Sequence, residues 1–319
     1  MATMTATETI TAPKSGAAPV PAPIDSRYAP KTAITHLPPT ATIDEIIAIL
    51  DRDGGLIIDD FVSSTQLSQI KHDVAHYHES AATKNSAISI VPTETILTPG
   101  LVGKSDTIAA ICESATLAGL RKEILTEEFT VSREGYGDPR SIDPLLSISL
   151  AFNVGPGAPR QRLHRDDNIH NTKHEDFDVR KVSQFACLIA GCETTRRNGA
   201  TMFIPGSHRW SDERQPRIDE ITFAEMQPGA ALIFLGGAYH GAGHNATDAF
   251  RTVYGLFFCR GHLRQEENQF LAIPHRKVLA MSEGMQSLLG YKQPRSVLGI
   301  VHNQDPMADL PNVLRMLAA

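Results

Sequence analysis

The chain has 319 residues, of which 41% are hydrophobic and 21% charged, and its 30 Lys and Arg against 36 Asp and Glu give a formal net charge of -6. No basic footprint for nucleic acid results, no run of about 18 apolar residues offers a transmembrane helix, and the length suits one large β-rich domain with extensions. Cys112, Cys187, Cys192 and Cys259 form no C-x-x-C pair, so neither a disulfide framework nor a structural zinc site is signalled and a reducing compartment fits best.

Residues 1 to about 38 carry Pro13, Pro19, Pro21, Pro23, Pro30 and Pro38 and few large apolar groups. Such a segment cannot bury enough surface to offset its ordering entropy, which predicts a flexible arm over 1–38 and a single domain over 39–319. No basic region followed by an apolar core marks a secretory signal, and Met316-Leu317-Ala318-Ala319 is not a peroxisomal tripeptide, so a cytoplasmic location is expected.

Structure starts at Thr42-Ile43-Asp44-Glu45, a capping box, followed by Ile43, Ile46, Ile47 and Leu50 at helical spacing and a stop at Gly54-Gly55. Leu56-Ile57-Ile58 reads as a short strand. Ser63 and Gln66 cap a second helix with Leu67, Ile70 and Val74 inward, and the spacing predicts a third helix over Thr107–Leu125. From there the pattern turns to β: Ile148, Leu150, Phe152 and Val154 alternate with Ser147, Ser149, Ala151 and Asn153. Further strands are expected at Phe185–Cys192, Ala200–Ile204, Ala231–Leu235 and Thr252–Cys259, separated by Gly/Pro turns. Helices first and short strands afterwards predict a mainly β fold, a sandwich or jelly roll with a helical layer packed on it.

The chemistry gathers at Gln161-Arg162-Leu163-His164-Arg165-Asp166-Asp167. His164 and Asp166 are two apart, so on an extended chain both project to one face, as two ligands of one ion require. A third ligand must come from another strand. His240 lies 76 residues on, just after the apolar run Ala231–Leu235, and glycines at 236, 237, 241 and 243 let other groups approach the backbone there. Two imidazoles and a carboxylate can occupy one face of an octahedral ferrous ion, leaving three positions for a bidentate cosubstrate and dioxygen. Arg251 then supplies the fork that would hold a distal carboxylate. The pattern reads as a non-haem iron oxygenase. His244 and His262 compete with His240 for the third place; His240 fits the glycine pattern, and it stands 11 residues before Arg251 where His244 stands only seven.

Three segments, Gln161-x-x-His164-x-Asp166-Asp167, Asn198 to His208 through Pro205-Gly206-Ser207, and His240-x-x-Gly243-x-Asn245-x-Thr247-x-x-x-Arg251, resemble the phytanoyl-CoA dioxygenase family in its own order over about residues 55 to 262. The wording around His164 and the Pro-rich arm are similar to the fungal branch that tailors meroterpenoids and alkaloids. The resemblance implies a double-stranded β-helix of the jelly-roll or cupin type, with Fe(II) held by His164, Asp166 and His240. It further implies 2-oxoglutarate and dioxygen as cosubstrates, with Arg251 on the far carboxylate and with Gln161 and Thr98 as further contacts. A small hydroxyl residue frequent two places after the distal histidine is Ala242 here. The retained carboxylate of Asp166 separates the chain from halogenases of this chemistry, which carry a small residue in its place.

The implied reaction oxidises an unactivated C–H bond of a small polycyclic secondary metabolite by hydroxylation, desaturation or rearrangement, with succinate and carbon dioxide as co-products. Modest charge and the lack of a CoA-sized basic patch favour a neutral substrate over an acyl-CoA. No nucleic-acid or membrane partner is expected, and the family implies a homodimer. The rival readings are another cupin-type metalloenzyme, an acyl-CoA hydroxylase of the same family and an inactive scaffold member. Among the remaining residues, Asn245 is expected to support a tight turn, His208 to close a turn or bond to backbone, and Glu266 and Glu267 to form a solvated pair. Asp167, Asn168 and His170 are expected either to line the substrate entrance or to form a solvated loop.

Overall fold

A computed structural model of the chain describes residues 20–81 and 91–311. Residues 1–19 of the expected arm and the C-terminal Met316-Leu317-Ala318-Ala319 lie outside the described residues. Strand β1 (His36–Leu37) runs parallel to β2 (Gly55–Ile58), and α1 (Ile43–Asp53) makes the crossover between them. The capping box expected at Thr42 is present, and Gly54 ends α1 at φ 76°, where a β-carbon would also overlap the His208 ring. Helix α2 (Ser64–Ala81) opens with reciprocal bonds between Ser63 and Gln66 and buries Leu67, Ile70 and Val74.

After β3 (Thr95–Pro99) come α3 (Leu101–Lys104), α4 (Asp106–Cys112) and α5 (Ala115–Leu125). The continuous helix predicted over Thr107–Leu125 is therefore two. It breaks at Glu113-Ser114, because the Ser114 hydroxyl takes the Leu117 N–H and so starts a new helix instead of continuing the old one. Strands β4 (Glu127–Arg133) and β5 (Tyr136–Ile142) form a separate hairpin turning at Gly135. Next follow β6 (Leu145–Val154), β7 (Gln184–Ala190), β8 (Thr201–Phe203), β9 (Thr222–Ala224), β10 (Ala231–Leu235), β11 (His240–Gly241) and β12 (Arg251–Cys259), and the short helices α6 (Gln269–Ala272), α7 (His275–Leu279) and α8 (Glu283–Leu288).

The seven-stranded major sheet has the order β1-β2-β10-β7-β12-β6-β3, antiparallel except for the β1–β2 pair; the minor sheet is β11-β8-β9. Its two faces carry two cores. Toward the helices, Leu146, Ala151, Cys187, Ile189, Ile233, Tyr254 and Phe258 pack with Ile46, Leu50, Ile70 and Leu120. Toward the minor sheet, Ile148, Leu150, Leu188, Leu232, Phe234 and Val253 meet Phe203 and Ala224. Strand β6 is thus covered on both sides, which explains why its polar alternates Ser147, Ser149 and Asn153 are buried as well.

The described part of the expected arm, residues 20–38, lies against the body. Ile34 is buried, the Tyr28 hydroxyl donates to the Ile221 carbonyl at 2.9 Å, and Arg160 and Arg196 donate to the carbonyls of Ala22 and Asp25. A proline-rich segment loses donors but keeps its carbonyls, and here arginines of the body take those acceptors. Among the described residues no helix is long and apolar enough to cross a membrane.

Candidate metal centre

His164 and His240 are direct partners in an antiparallel bridge at the end of the minor sheet: the His164 N–H donates to the His240 carbonyl at 2.9 Å, and the His240 N–H returns the bond at 3.0 Å. Residues so opposed present their side chains to the same face, which brings the two imidazoles side by side. Arg165 is extended, with φ -110° and ψ 133°, so Asp166 returns to the face of His164 as the two-residue spacing requires. The strand stops there. Asp166 begins a 3₁₀ turn running to His170, and its N–H donates to the Gly236 carbonyl at 2.9 Å at the end of β10. A β-carbon at Gly236 would crowd Gln184 and Asp167, so the glycine is what lets this turn lie against the strand end.

The donor atoms converge. Asp166 Oδ1 lies 3.5 Å from His164 Nε2 and 3.4 Å from His240 Nε2, and the three residues form a cluster able to hold a metal ion. Each imidazole uses its other nitrogen in the same way: His164 Nδ1 donates to the Arg162 carbonyl at 2.8 Å and His240 Nδ1 to the Ala238 carbonyl at 3.1 Å. A proton fixed on Nδ1 leaves Nε2 as a lone pair pointing into the cluster, the tautomer a metal ligand needs. Asp166 Oδ2 is buried and has no hydrogen-bond partner among the described residues. Burial alone would raise the Asp166 pKa, but the two imidazoles outweigh it and hold the carboxyl well below its usual range. His240 is held up in turn: burial opposes its charge, and Asp166 more than compensates.

These groups open into a cavity between the two sheets. Its wall is the inner face of β6 and β12, with Ile148, Leu150, Phe152, Val154, Val253 and Phe257. Arg251 reaches it from the start of β12. The residue is 3% exposed, its Nε donates to the Asn198 carbonyl at 3.2 Å, and no carboxylate pairs with it among the described residues. Burial lowers its pKa to about 10, which leaves it charged at neutral pH. A buried, charged fork facing a cavity without a counter-ion is a site for an anion.

Gln161 also lines the cavity, and its Oε1 accepts the Ala242 N–H at 2.7 Å, so the backbone of residue 242 is engaged even though its side chain carries no hydroxyl. Thr98 does not join the site. It is buried on the opposite face of β3, with its hydroxyl 2.7 Å from His78 Nδ1 on α2. Strand alternation is the reason: Thr95 faces the cavity, and three residues on, Thr98 faces the helices. His244, bonded to the Ala158 carbonyl, and His262, bonded to Glu127, lie outside the cluster of converging donor atoms, so neither competes with His240. His208 is buried under α1, bonded to the Asp51 carbonyl at 3.0 Å, and burial brings its pKa down to about 4.

Other expectations change. Asn245 supports a tight turn as expected, but through its side chain and without a left-handed backbone: its Oδ1 accepts the Thr247 N–H at 3.0 Å, and its buried amide donates to the carbonyls of Val154, Gly155 and Ala249, fastening the end of β6 to the loop that leads into Arg251. Asp167 is buried rather than solvated and pairs with His174. Glu266 is exposed as expected, yet its carboxyl reaches the cavity wall and Ser147, and desolvation raises the pKa of both carboxyls, Glu266 to about 7. His174 and Glu266 carried no motif and no periodicity, so nothing local in the sequence marks them.

The family model described as phytanoyl-CoA dioxygenase matches residues 50–253. Dioxygenase swnH1 of Arthroderma benhamiae is 50% identical over 300 residues, covering 93% of this chain and 98% of that protein. Dioxygenase peniF of Penicillium patulum is 32% identical over 286 residues, covering 83% and 92%. Among solved structures, HygX from Streptomyces hygroscopicus with nickel and 2-oxoglutarate bound has the same fold with a TM-score of 0.50 at 13% identity, covering 70% of this chain and 90% of that one.

Proposed function

The chain belongs to the phytanoyl-CoA dioxygenase family, and from that premise we propose that it is an Fe(II)- and 2-oxoglutarate-dependent dioxygenase acting on an unactivated C–H bond of a small polycyclic metabolite. His164, Asp166 and His240 hold the iron, Arg251 and Gln161 serve the cosubstrate, and residues 39–319 form one domain whose two sheets are those of a double-stranded β-helix. The observation that carries this reading is that one cavity contains both the three-donor cluster and an unpaired, buried Arg251.

The residues fit the ion. Two imidazoles with their protons fixed on Nδ1 and a carboxylate with an orphaned buried oxygen make a charge-poor facial set suited to a ferrous ion. Bound there with 2-oxoglutarate, iron would activate dioxygen for oxidation of the substrate, with succinate and carbon dioxide as co-products. The chain supplies the rest. Arg251 grips the far carboxylate of the cosubstrate in a fixed fork and fixes its direction in the cavity. The apolar residues of β6 and β12 seat the hydrocarbon part of the substrate and keep water from the reacting carbon.

The test is an anaerobic titration of metal-free protein with Fe(II) and 2-oxoglutarate, read by the visible charge-transfer band of the chelate. The band is expected, and expected to be lost in His240→Ala. Iron binding without a band would make the protein a cupin-type metalloenzyme without this cosubstrate, and no binding would leave a scaffold.

A further inference from the structure

The cavity has a second charged side chain in its wall, at the end away from Arg251. Register fixes the distance between those ends: Arg251 pairs with Val154 and Phe257 with Ile148, six residues further along both strands, or about 20 Å of extended chain. At the Phe257 end the ladder slips, for Phe258 pairs with Leu146 and Ser147 is left without a partner. Such a bulge turns side chains over: Leu146 belongs to the helix-side core and Ile148 to the cavity-side core, although they are two residues apart.

The freed Ser147 anchors the segment that follows β12. Its hydroxyl accepts the Glu266 N–H at 3.1 Å and donates to Glu266 Oε1 at 3.1 Å, while its carbonyl accepts the Glu267 N–H at 3.0 Å. Gln265 adds a bond to the Leu146 carbonyl at 2.7 Å. Stitched in this way, Glu266 stands in the cavity wall beside Ile148 and Phe257. Among the described residues no Lys, Arg or His pairs with it, and Ser147 is its sole side-chain hydrogen-bond partner. Desolvation of its carboxyl against the cavity wall, with the charge of Asp166 adding to it, raises its pKa to about 7, and a neighbouring cation would relieve that cost.

We propose that Glu266 is the substrate-recognition residue of this cavity and takes a protonated basic nitrogen of the substrate. The polycyclic molecule of the proposed reaction then carries an amine in place of the neutral character expected from composition. The two ends of the cavity sort the two organic molecules by charge, a dicarboxylate at Arg251 and an ammonium at Glu266. This rests on the reading of the cavity as the substrate site.

The test uses three probes on one apolar cage, 1-aminoadamantane, 1-adamantanol and adamantane-1-carboxylate, titrated calorimetrically into the full-length protein near neutral pH, without metal and again with Fe(II) and 2-oxoglutarate under argon. The ammonium is expected to bind at least about tenfold more tightly than the alcohol, as a charge-assisted hydrogen bond in a partly desolvated site would give, and the carboxylate least. Glu266→Gln, which keeps an acceptor for Ser147, is expected to erase the preference for the ammonium. Equal binding of ammonium and alcohol, no binding of the ammonium, or a preference that survives in Glu266→Gln overturns the proposal. Loss of the chelate band with the ammonium preference intact would overturn the iron reading and leave this one standing.

Discussion

His174 Nε2 lies 3.1 Å from both carboxylate oxygens of Asp167, the residue next to Asp166, while its Nδ1 lies 2.6 Å from Asp212 Oδ1. Asp212 is in turn bonded by Arg165, whose buried guanidinium also donates to the carbonyls of Ser207 and Trp210 and stacks on Tyr239. The residues on both sides of Asp166 are thus tied to the same network, and Asp166 itself is the member left free to ligate. His174→Gln is expected to weaken Fe(II) binding by about 10- to 100-fold while the protein stays folded. An unchanged metal affinity, measured by titration into the apoprotein, would show that the turn holds itself.

The same pair predicts a pH effect. Burial lowers the His174 pKa, but Asp167 and Asp212 outweigh it and the net shift is upward from 6.5. A raised folded pKa stabilises fully below the unfolded value and is lost as pH rises through the folded value. Melting temperatures of wild type and His174→Gln should therefore differ most at or below about pH 6.5 and converge as the pH climbs above it.

Arg251→Ala should raise the 2-oxoglutarate concentration needed for the chelate band by about 10- to 100-fold, the worth of a charged hydrogen-bonded pair in a buried site. Arg251→Lys should recover part of this, since the charge remains and the fork does not. A requirement unchanged in Arg251→Ala would remove the cosubstrate role.

Thr95 and Thr98 separate the two faces of β3. Thr98→Val should leave the 2-oxoglutarate requirement unchanged and cost about 1 kcal/mol of stability through the lost bond to His78. Thr95→Val, on the cavity wall opposite Val154 and so near Arg251, should raise that requirement several-fold. The reverse result would mean that the strand register is wrong.

Asn245→Ala removes the donor shared by three carbonyls and is expected to destabilise the chain by roughly 1–3 kcal/mol in urea. Because the loop it fastens leads into β12, the same variant should also weaken 2-oxoglutarate binding.

What the sequence disclosed follows from the range over which each signal acts. Thr42, Ser63 and the alternation through Ile148 to Val154 are decided by neighbours a few residues away, and they appear in the structure where they were expected. His164 and Asp166 were legible because two-residue parity survives even though the strand ends at Asp166. Thr98 was implied by the resemblance alone; its own parity can be read only once β3 is recognised, and Thr95–Pro99 has too few alternations to announce a strand. The place of Glu266 is hidden for a different reason: it is set by Ser147 and the cavity wall, more than a hundred residues away in the chain, and a charged residue next to another charge shows no sign of that locally.

Strand β6 divides its labour residue by residue. Ile148, Leu150, Phe152 and Val154 face the cavity, while Ser149, Ala151 and Asn153 face away from it, Ser149 accepting the Val102 N–H and Ala151 packing in the helix-side core. A substitution on the first set alters the shape offered to a small molecule and leaves the helical layer untouched; a substitution on the second does the opposite. Lineages descending from one such ancestor can therefore diverge in the molecules they accept by exchanging every other residue of a single strand, with the scaffold inherited intact.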